Sequence, residues 1–214
     1  MRKLMMKMSV SVDGFVGAAD GKIDWIFGTT DEAATAWIVG LCRGAGLHIM
    51  GSKTFQDMAS YWPTSTEPFA APMNEVPKAL FTKKGFKGVN PAYTTTALEN
   101  ARSYNEARGI FHSAAPSPAA VSWGEARVFD GDLAEGIKKL KAEPGNPIMA
   151  HGGAGFMRSL IATGLIDEYN LLIHPAALGA GMPIFNGLSK PLNLKLVDVK
   201  VFPAGAVAHT YHPA

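Results

Sequence analysis

A short apolar strand that runs into glycine and then into a helical repeat occurs twice in this chain, and it limits the fold more than any other feature. In the later copy, Ile148 to Ala150 leads into Gly152-Gly153-Ala154-Gly155, after which Phe156, Leu160 and Ile161 recur at helical spacing. In the earlier copy, Leu47 to Met50 reads as a strand, Gly51 breaks it, and Thr54 to Tyr61 reads as a helix stopped before Pro63. Such a turn lets backbone N–H groups approach a ligand at the positive end of a helix, which holds phosphate or pyrophosphate without a side chain. It serves equally as a connection that binds nothing, and these residues alone leave the two readings even.

The remaining elements fit around those two units. Residues 2 to 12 suit a buried opening strand ending at the turn dipeptide Asp13-Gly14, and a loop follows through Trp25. Thr29 and Glu32 form a capping box for a helix over residues 30 to 43, with Ala33, Trp37, Ile38 and Leu41 on one face. Ala79 to Thr82 reads as a strand entering Lys83-Lys84-Gly85, and Asp132 with Glu135 caps a helix that turns Leu133, Ile137 and Leu140 to the core. After a helix from Gly155 to Thr163 comes the strand Tyr169 to His174. Leu192, Leu194 and Leu196 alternate in one phase and Val197, Val199 and Val201 in the other, which a bulge near Leu196 reconciles. Pro203-Ala204-Gly205 then turns the chain into Val207 to Tyr211, a terminal hairpin. Strands alternating with helices and closed by a hairpin imply an α/β sheet covered on both faces with an antiparallel edge. Between these elements, residues 85 to 121 hold Pro91, Pro116 and Pro118 and show no sustained period. They read as an irregular insertion, a surface loop or a pocket cover, with a helical turn near Ala101 to Ala107.

Composition narrows the partners. A length of 214 residues with 47% hydrophobic content suits a single domain. The formal charge of +2, from 20 basic and 18 acidic residues spread along the chain, leaves no broad footprint for nucleic acid or an anionic membrane. Cys42 is the only cysteine, so an intrachain disulfide is excluded, and the composition fits a reducing cytoplasm; the residue itself reads as a small buried hydrophobe on a helix. The apolar run after Arg2-Lys3 is too short for a signal peptide or a membrane span, so a soluble cytoplasmic protein is expected. The histidines at 48, 112, 151, 174, 209 and 212 lack metal-ligand spacing, and no metal site is expected.

Three ordered segments carry a resemblance. Gly152-Gly153, Gly164 to Glu168, His174-Pro175 and Leu178 to Phe185 resemble the C-terminal pattern of the dihydrofolate reductase-like superfamily, more closely the reductase half of the bacterial bifunctional riboflavin-biosynthesis deaminase-reductase. Met8 to Val16 is similar to that family's first strand and loop, and Ile49 to Phe55 to its cofactor turn. The resemblance implies a three-layer α/β/α fold with a mostly parallel sheet and an NADPH-dependent oxidoreductase that passes hydride to a small heterocyclic or carbonyl substrate. It implies pyrophosphate contacts from Gly51, Ser52, Lys53 and Thr54 on one helix and from Gly152, Gly153, Ala154, Gly155 and Phe156 on the other. Ser52 stands where the family commonly has an arginine for the 2′-phosphate; Lys53, Thr82, Lys83 and Lys84 are the substitutes at hand. The family's glycine pair also implies a cis peptide between Gly152 and Gly153.

For acid–base work the candidates are Asp31, with Glu32 taken as the helix cap, then His151 before the glycine pair, and Asp13 with Ser11 at the exit of the first strand. Substrate would meet residues 22 to 28, the first helix and Tyr61-Trp62-Pro63. Dihydrofolate reduction and nucleotide binding without turnover are the alternatives. The hairpin from Leu192 to Tyr211 is an edge needing cover, and relatives often pair through it, so a homodimer is expected.

Overall fold

The computed structural model describes residues 1–90, 93–110 and 112–214. In chain order it forms β1 (Leu4–Ser11), β2 (Phe15–Ala18), α1 (Glu32–Gly44), β3 (Leu47–Gly51), α2 (Ser52–Tyr61), α3 (Ala70–Glu75), β4 (Lys78–Phe81), α4 (Thr96–Ala107), α5 (Val121–Gly124) and β5 (Arg127–Phe129). There follow α6 (Leu133–Ala142), β6 (Ile148–Ala150), α7 (Ala154–Ala162), β7 (Glu168–His174), β8 (Gly181–Pro183), β9 (Leu194–Val201) and β10 (Val207–Pro213). Eight strands make one sheet in the order β5-β4-β3-β6-β1-β7-β10-β9, and β2 pairs with β8 apart from it. Every pairing from β5 to β7 is parallel; β10 and β9 close the sheet antiparallel.

Central parallel strands are buried on both faces, which is why β1 reads as an almost unbroken apolar run. Its Leu4, Met6, Met8 and Val10 pack with Ile137 and Leu140 of α6 and Met157, Leu160 and Ile161 of α7. Met5 points the other way, into a second core built from Ala34, Ile38 and Cys42 of α1, Phe55 of α2, Met73 of α3 and Trp123 of α5. The result is the expected helix–sheet–helix sandwich.

Local chemistry sets the element ends. Asp132 accepts from the Glu135 N–H at 2.9 Å and starts α6 where expected. The first helix differs: Asp31, not the Thr29–Glu32 pair, caps α1 by accepting from the Ala34 N–H at 2.8 Å. Thr29 is drawn away to the His174 ring at 2.8 Å. In the hairpin, Thr210 pairs with Asp198 but Tyr211 with Leu196, so Val197 is the extra residue that reconciles the two phases.

The stretch 85–121 is not irregular throughout. Thr95 caps the helix α4, in which Leu98 and Asn105 are the buried residues. Two buried positions in twelve leave no apolar period to read. Pro91, one of the prolines on which that expectation rested, lies outside the described residues.

Candidate active site

β3 and β6 are parallel neighbours, with Leu47 opposite Ile148 and Ile49 opposite Ala150. The helices that follow them leave toward opposite faces: α2 packs with α1, and α7 with α6. Where adjacent strands send their helices apart, a crevice opens beyond the carboxyl ends of the strands, the place where open α/β sheets bind ligands. Gly51 precedes α2, Gly153 precedes α7, and no side chain caps either helix. The first N–H groups of both, from Ser52, Lys53 and Thr54 and from Ala154, Gly155 and Phe156, therefore lie at this crevice backed by two helix dipoles.

Close packing explains the glycines. A Cβ at Gly51 would stand 3.0 Å from the Cβ of Phe156, one at Gly153 3.0 Å from Thr54 Oγ1, and one at Gly152 2.3 Å from Met8 Sδ. Thr54 ties the helix starts together by donating its hydroxyl to the Gly152 carbonyl at 3.1 Å. No peptide bond among the described residues is cis, so the Gly152–Gly153 bond is trans, contrary to expectation. Gly153 is simply extended (φ −94°, ψ 142°). That conformation needs no cis bond and none of its roughly 3–4 kcal/mol cost. Phe156 adds a wall, stacking on Phe81 with centroids 5.8 Å apart.

One strand further out, Thr82 is buried at the end of β4. Its hydroxyl is engaged by the turn, donating to the Gly85 carbonyl at 2.9 Å and accepting from the Lys84 N–H at 3.2 Å. Lys83 and Lys84 are exposed on that turn, as is Lys53 at the start of α2, while Ser52 is half-buried. The lysines form no salt bridge among the described residues. A depression of about 510 Å³ lies where β5 runs into α6, lined by residues 128–132, Glu135, Gly136 and Lys139. Another of about 290 Å³ sits against Met1, Arg2 and residues 142–145, near the opposite end of β1. That end lacks the uncapped helix starts, so the chemistry is assigned to the carboxyl ends of the strands.

Toward β1 and β7 the crevice meets a polar floor. Lys7, Ser9 and Ser11 alternate along β1, and Ser11 stands opposite His174. His174 is fully buried; Trp25 meets it edge-on at 5.4 Å, and neither its Nε2 nor the Trp25 Nε1 has a hydrogen-bond partner among the described residues. Burial, with Lys7 adding to it, pushes the His174 imidazole down to about 3, so it is neutral at pH 7. Burial brings the Lys7 ammonium down to about 8.

The acid–base candidates are placed less favourably. Asp31 spends one oxygen on the Ala34 N–H and the other on the Ala204 N–H, both at 2.8 Å. Those bonds hold its carboxyl below the usual range and anchor α1 to the terminal hairpin, leaving no proton to donate. Glu32, expected to be the cap, is exposed in the first turn. Asp13 accepts from Ser11 Oγ at 2.5 Å and from the Gly179 N–H at 2.7 Å, and pins the β1–β2 turn to the loop after His174-Pro175. Ser11 and those amides lower its carboxyl too. His151 turns inward against fully buried His48, ring centroids 4.5 Å apart, and burial holds it well below its ordinary value. Sequence reasoning passed over Lys7, although one lysine inside Leu-Met-Met-Lys-Met-Ser-Val is a visible anomaly in a buried strand.

Residues 2–208 match the RibD C-terminal domain. The chain belongs to that family. The RibD C-terminal domain is the reductase part of the riboflavin pathway, and its dihydrofolate reductase-like α/β fold is the one seen here. The chain is 27% identical to the uncharacterized protein YyaP of Bacillus subtilis (strain 168) over 99% of its own length and 95% of YyaP. Its structure superposes on a diaminohydroxyphosphoribosylaminopyrimidine deaminase/5-amino-6-(5-phosphoribosylamino)uracil reductase of Thermotoga maritima with a TM-score of 0.64 at 15% identity, covering all of this chain and 57% of that one. A dihydrofolate reductase of Enterococcus faecalis complexed with NADP(H) gives 0.54 at 13% identity, over 99% of this chain and 96% of that one.

Proposed function

We propose that this RibD C-terminal domain protein is an NADPH-dependent reductase acting on a small heterocyclic or carbonyl substrate of the 5-amino-6-(5-phosphoribosylamino)uracil type. The observation that carries the reading is the pair of uncapped helix starts meeting at the crevice between β3 and β6. Two sets of helix-start N–H groups without side-chain caps, preceded by Gly51 and Gly153, suit a pyrophosphate. NADPH, when bound, supplies the hydride. Gly51 to Thr54 and Gly153 to Phe156 would hold its pyrophosphate, and Lys83 and Lys84, with Lys53, would attract the 2′-phosphate as point charges in place of the family's arginine. Substrate would lie over the β1–β7 floor, where Lys7 and His174 offer polar groups to a carbonyl or ring oxygen, and α1, anchored by Asp31, would exclude water. The same reading includes a homodimer through β9, whose Leu196, Val197, Val199 and Val201 are exposed on an edge strand.

The test is oxidation of NADPH by the purified protein with pyrimidine, pteridine and carbonyl substrates. Turnover with a ribosylaminopyrimidine phosphate, abolished by Lys7→Met while NADPH binding survives, is expected. Turnover of dihydrofolate alone would replace the substrate assignment. Stoichiometric NADPH binding with no turnover on any substrate would reduce the protein to a nucleotide-binding module.

A further inference from the structure

On the α1 side of the sheet, three side chains with metal-ligating atoms converge where no metal site is expected from sequence. Cys42 comes from the last turn of α1, His48 from β3, and His151 from the end of β6; one ligand atom of each lies within 4.8 Å of the others. All three are buried, at 2%, 0% and 8% exposure. Two ring nitrogens here, His48 Nδ1 and His151 Nε2, are enclosed and have no hydrogen-bond partner among the described residues. Orphaned polar atoms of this kind cost about 1–3 kcal/mol each, and two of them beside a thiol mark a place built for something else.

The surrounding bonds already orient His48 as a ligand. Its Nε2 lies 3.1 Å from the Cys42 carbonyl, which can only accept, so the proton sits on Nε2, and Nδ1, enclosed and without a hydrogen-bond partner among the described residues, keeps its lone pair. One backbone contact thus fixes the tautomer. A cation with bonds of about 2.3 Å to sulfur and 2.0–2.1 Å to nitrogen holds its ligand atoms about 3.3–3.7 Å apart. Rotations that move side-chain ends by about 1 Å would close the present arrangement.

We infer that Cys42, His48 and His151 form a buried three-ligand site for a thiophilic d¹⁰ cation, cuprous copper or zinc. One thiolate and two imidazoles are the donor set these ions share. Burial favours the monovalent ion, since all three ligands are buried: Cu(I) with one thiolate is neutral once the thiol proton is released, whereas Zn(II) with one thiolate keeps a net positive charge that a buried site penalises.

Metal-free full-length protein, titrated anaerobically with Cu(I) and separately with Zn(II) against chromophoric chelators, tests the site independently of NADPH. One equivalent per chain is expected, with Cu(I) tighter. Cys42→Ser and His48→Gln, each shown folded by circular dichroism, should weaken binding at least a hundredfold. Co(II) should give a thiolate charge-transfer band in the wild type that Cys42→Ser lacks. Tighter zinc than copper would keep the site and overturn the charge argument. No retained equivalent of either ion, or equal binding by wild type and Cys42→Ser, would overturn the site itself.

Discussion

Asp31 and Asp13 are carboxylates beside a crevice whose oxygens are taken by backbone N–H groups, and that makes them anchors with a pH signature. The Asp31 carboxyl is held below its usual value by the Ala34 and Ala204 amides. A depressed folded value means that its contribution to stability is complete above the unfolded value, roughly 3.9, and is lost as pH falls through the folded one. Asp31→Asn keeps an acceptor for Ala34 but turns a donor toward the Ala204 N–H. It should therefore melt below wild type at pH 7, with the gap closing in strong acid; a gap constant from pH 7 to pH 2 would show that the charge plays no part. Gly152 makes a packing prediction. An added Cβ would stand 2.3 Å from Met8 Sδ, so Gly152→Ala should lose about 1–3 kcal/mol in urea unfolding. In a Met8→Ala background that loss should shrink, because the obstructing atom is gone.

At the scale of elements, what could be read from sequence depended on burial. α1, α6 and α7 each bury an apolar stripe, and β1, β3, β4, β6 and β7 are largely apolar runs, so pattern alone found them, whereas β5, three residues long with Arg127 and Val128 exposed, was missed. α4 buries only Leu98 and Asn105 and is held by its cap, by Asn105 on Glu67 and by Tyr104 stacked on Phe27, so no apolar period betrayed it and only a helical turn near Ala101 to Ala107 was expected. Thr95 accepts from the Leu98 N–H at 3.3 Å and donates to Asp57 at 2.8 Å. Thr95→Ala should cost about 1 kcal/mol and speed hydrogen exchange in α4 before the rest of the molecule. The bulge was legible because Val197 to Val201 reverse the phase of the leucines before them, and in β9 it leaves the valines exposed. If β9 is the dimer edge, Val199→Lys with Val201→Lys should yield a monomer in analytical ultracentrifugation while far-UV circular dichroism is unchanged. An unaltered mass would place the interface elsewhere.

For the whole molecule, the crevice is a product of topology that no single segment contains. β6 lies between β3 and β1, and only the opposite departures of α2 and α7 bring Gly51 and Gly153 together. Each glycine turn was visible alone; their meeting was expected only through resemblance to a family. The polar floor was less legible, since Lys7 and Ser11 lie far from His174 in sequence and are brought together only by the pairing of β1 with β7. Titration of the purified protein with NADPH and NADH, following its tryptophan fluorescence, tests the central proposal most directly. Micromolar binding with NADPH preferred is expected, and Lys83→Ala with Lys84→Ala should erase about tenfold of that preference, ~1.4 kcal/mol. Binding of neither nucleotide would mean that the two uncapped helix starts are connections only, and the reductase proposal would fall.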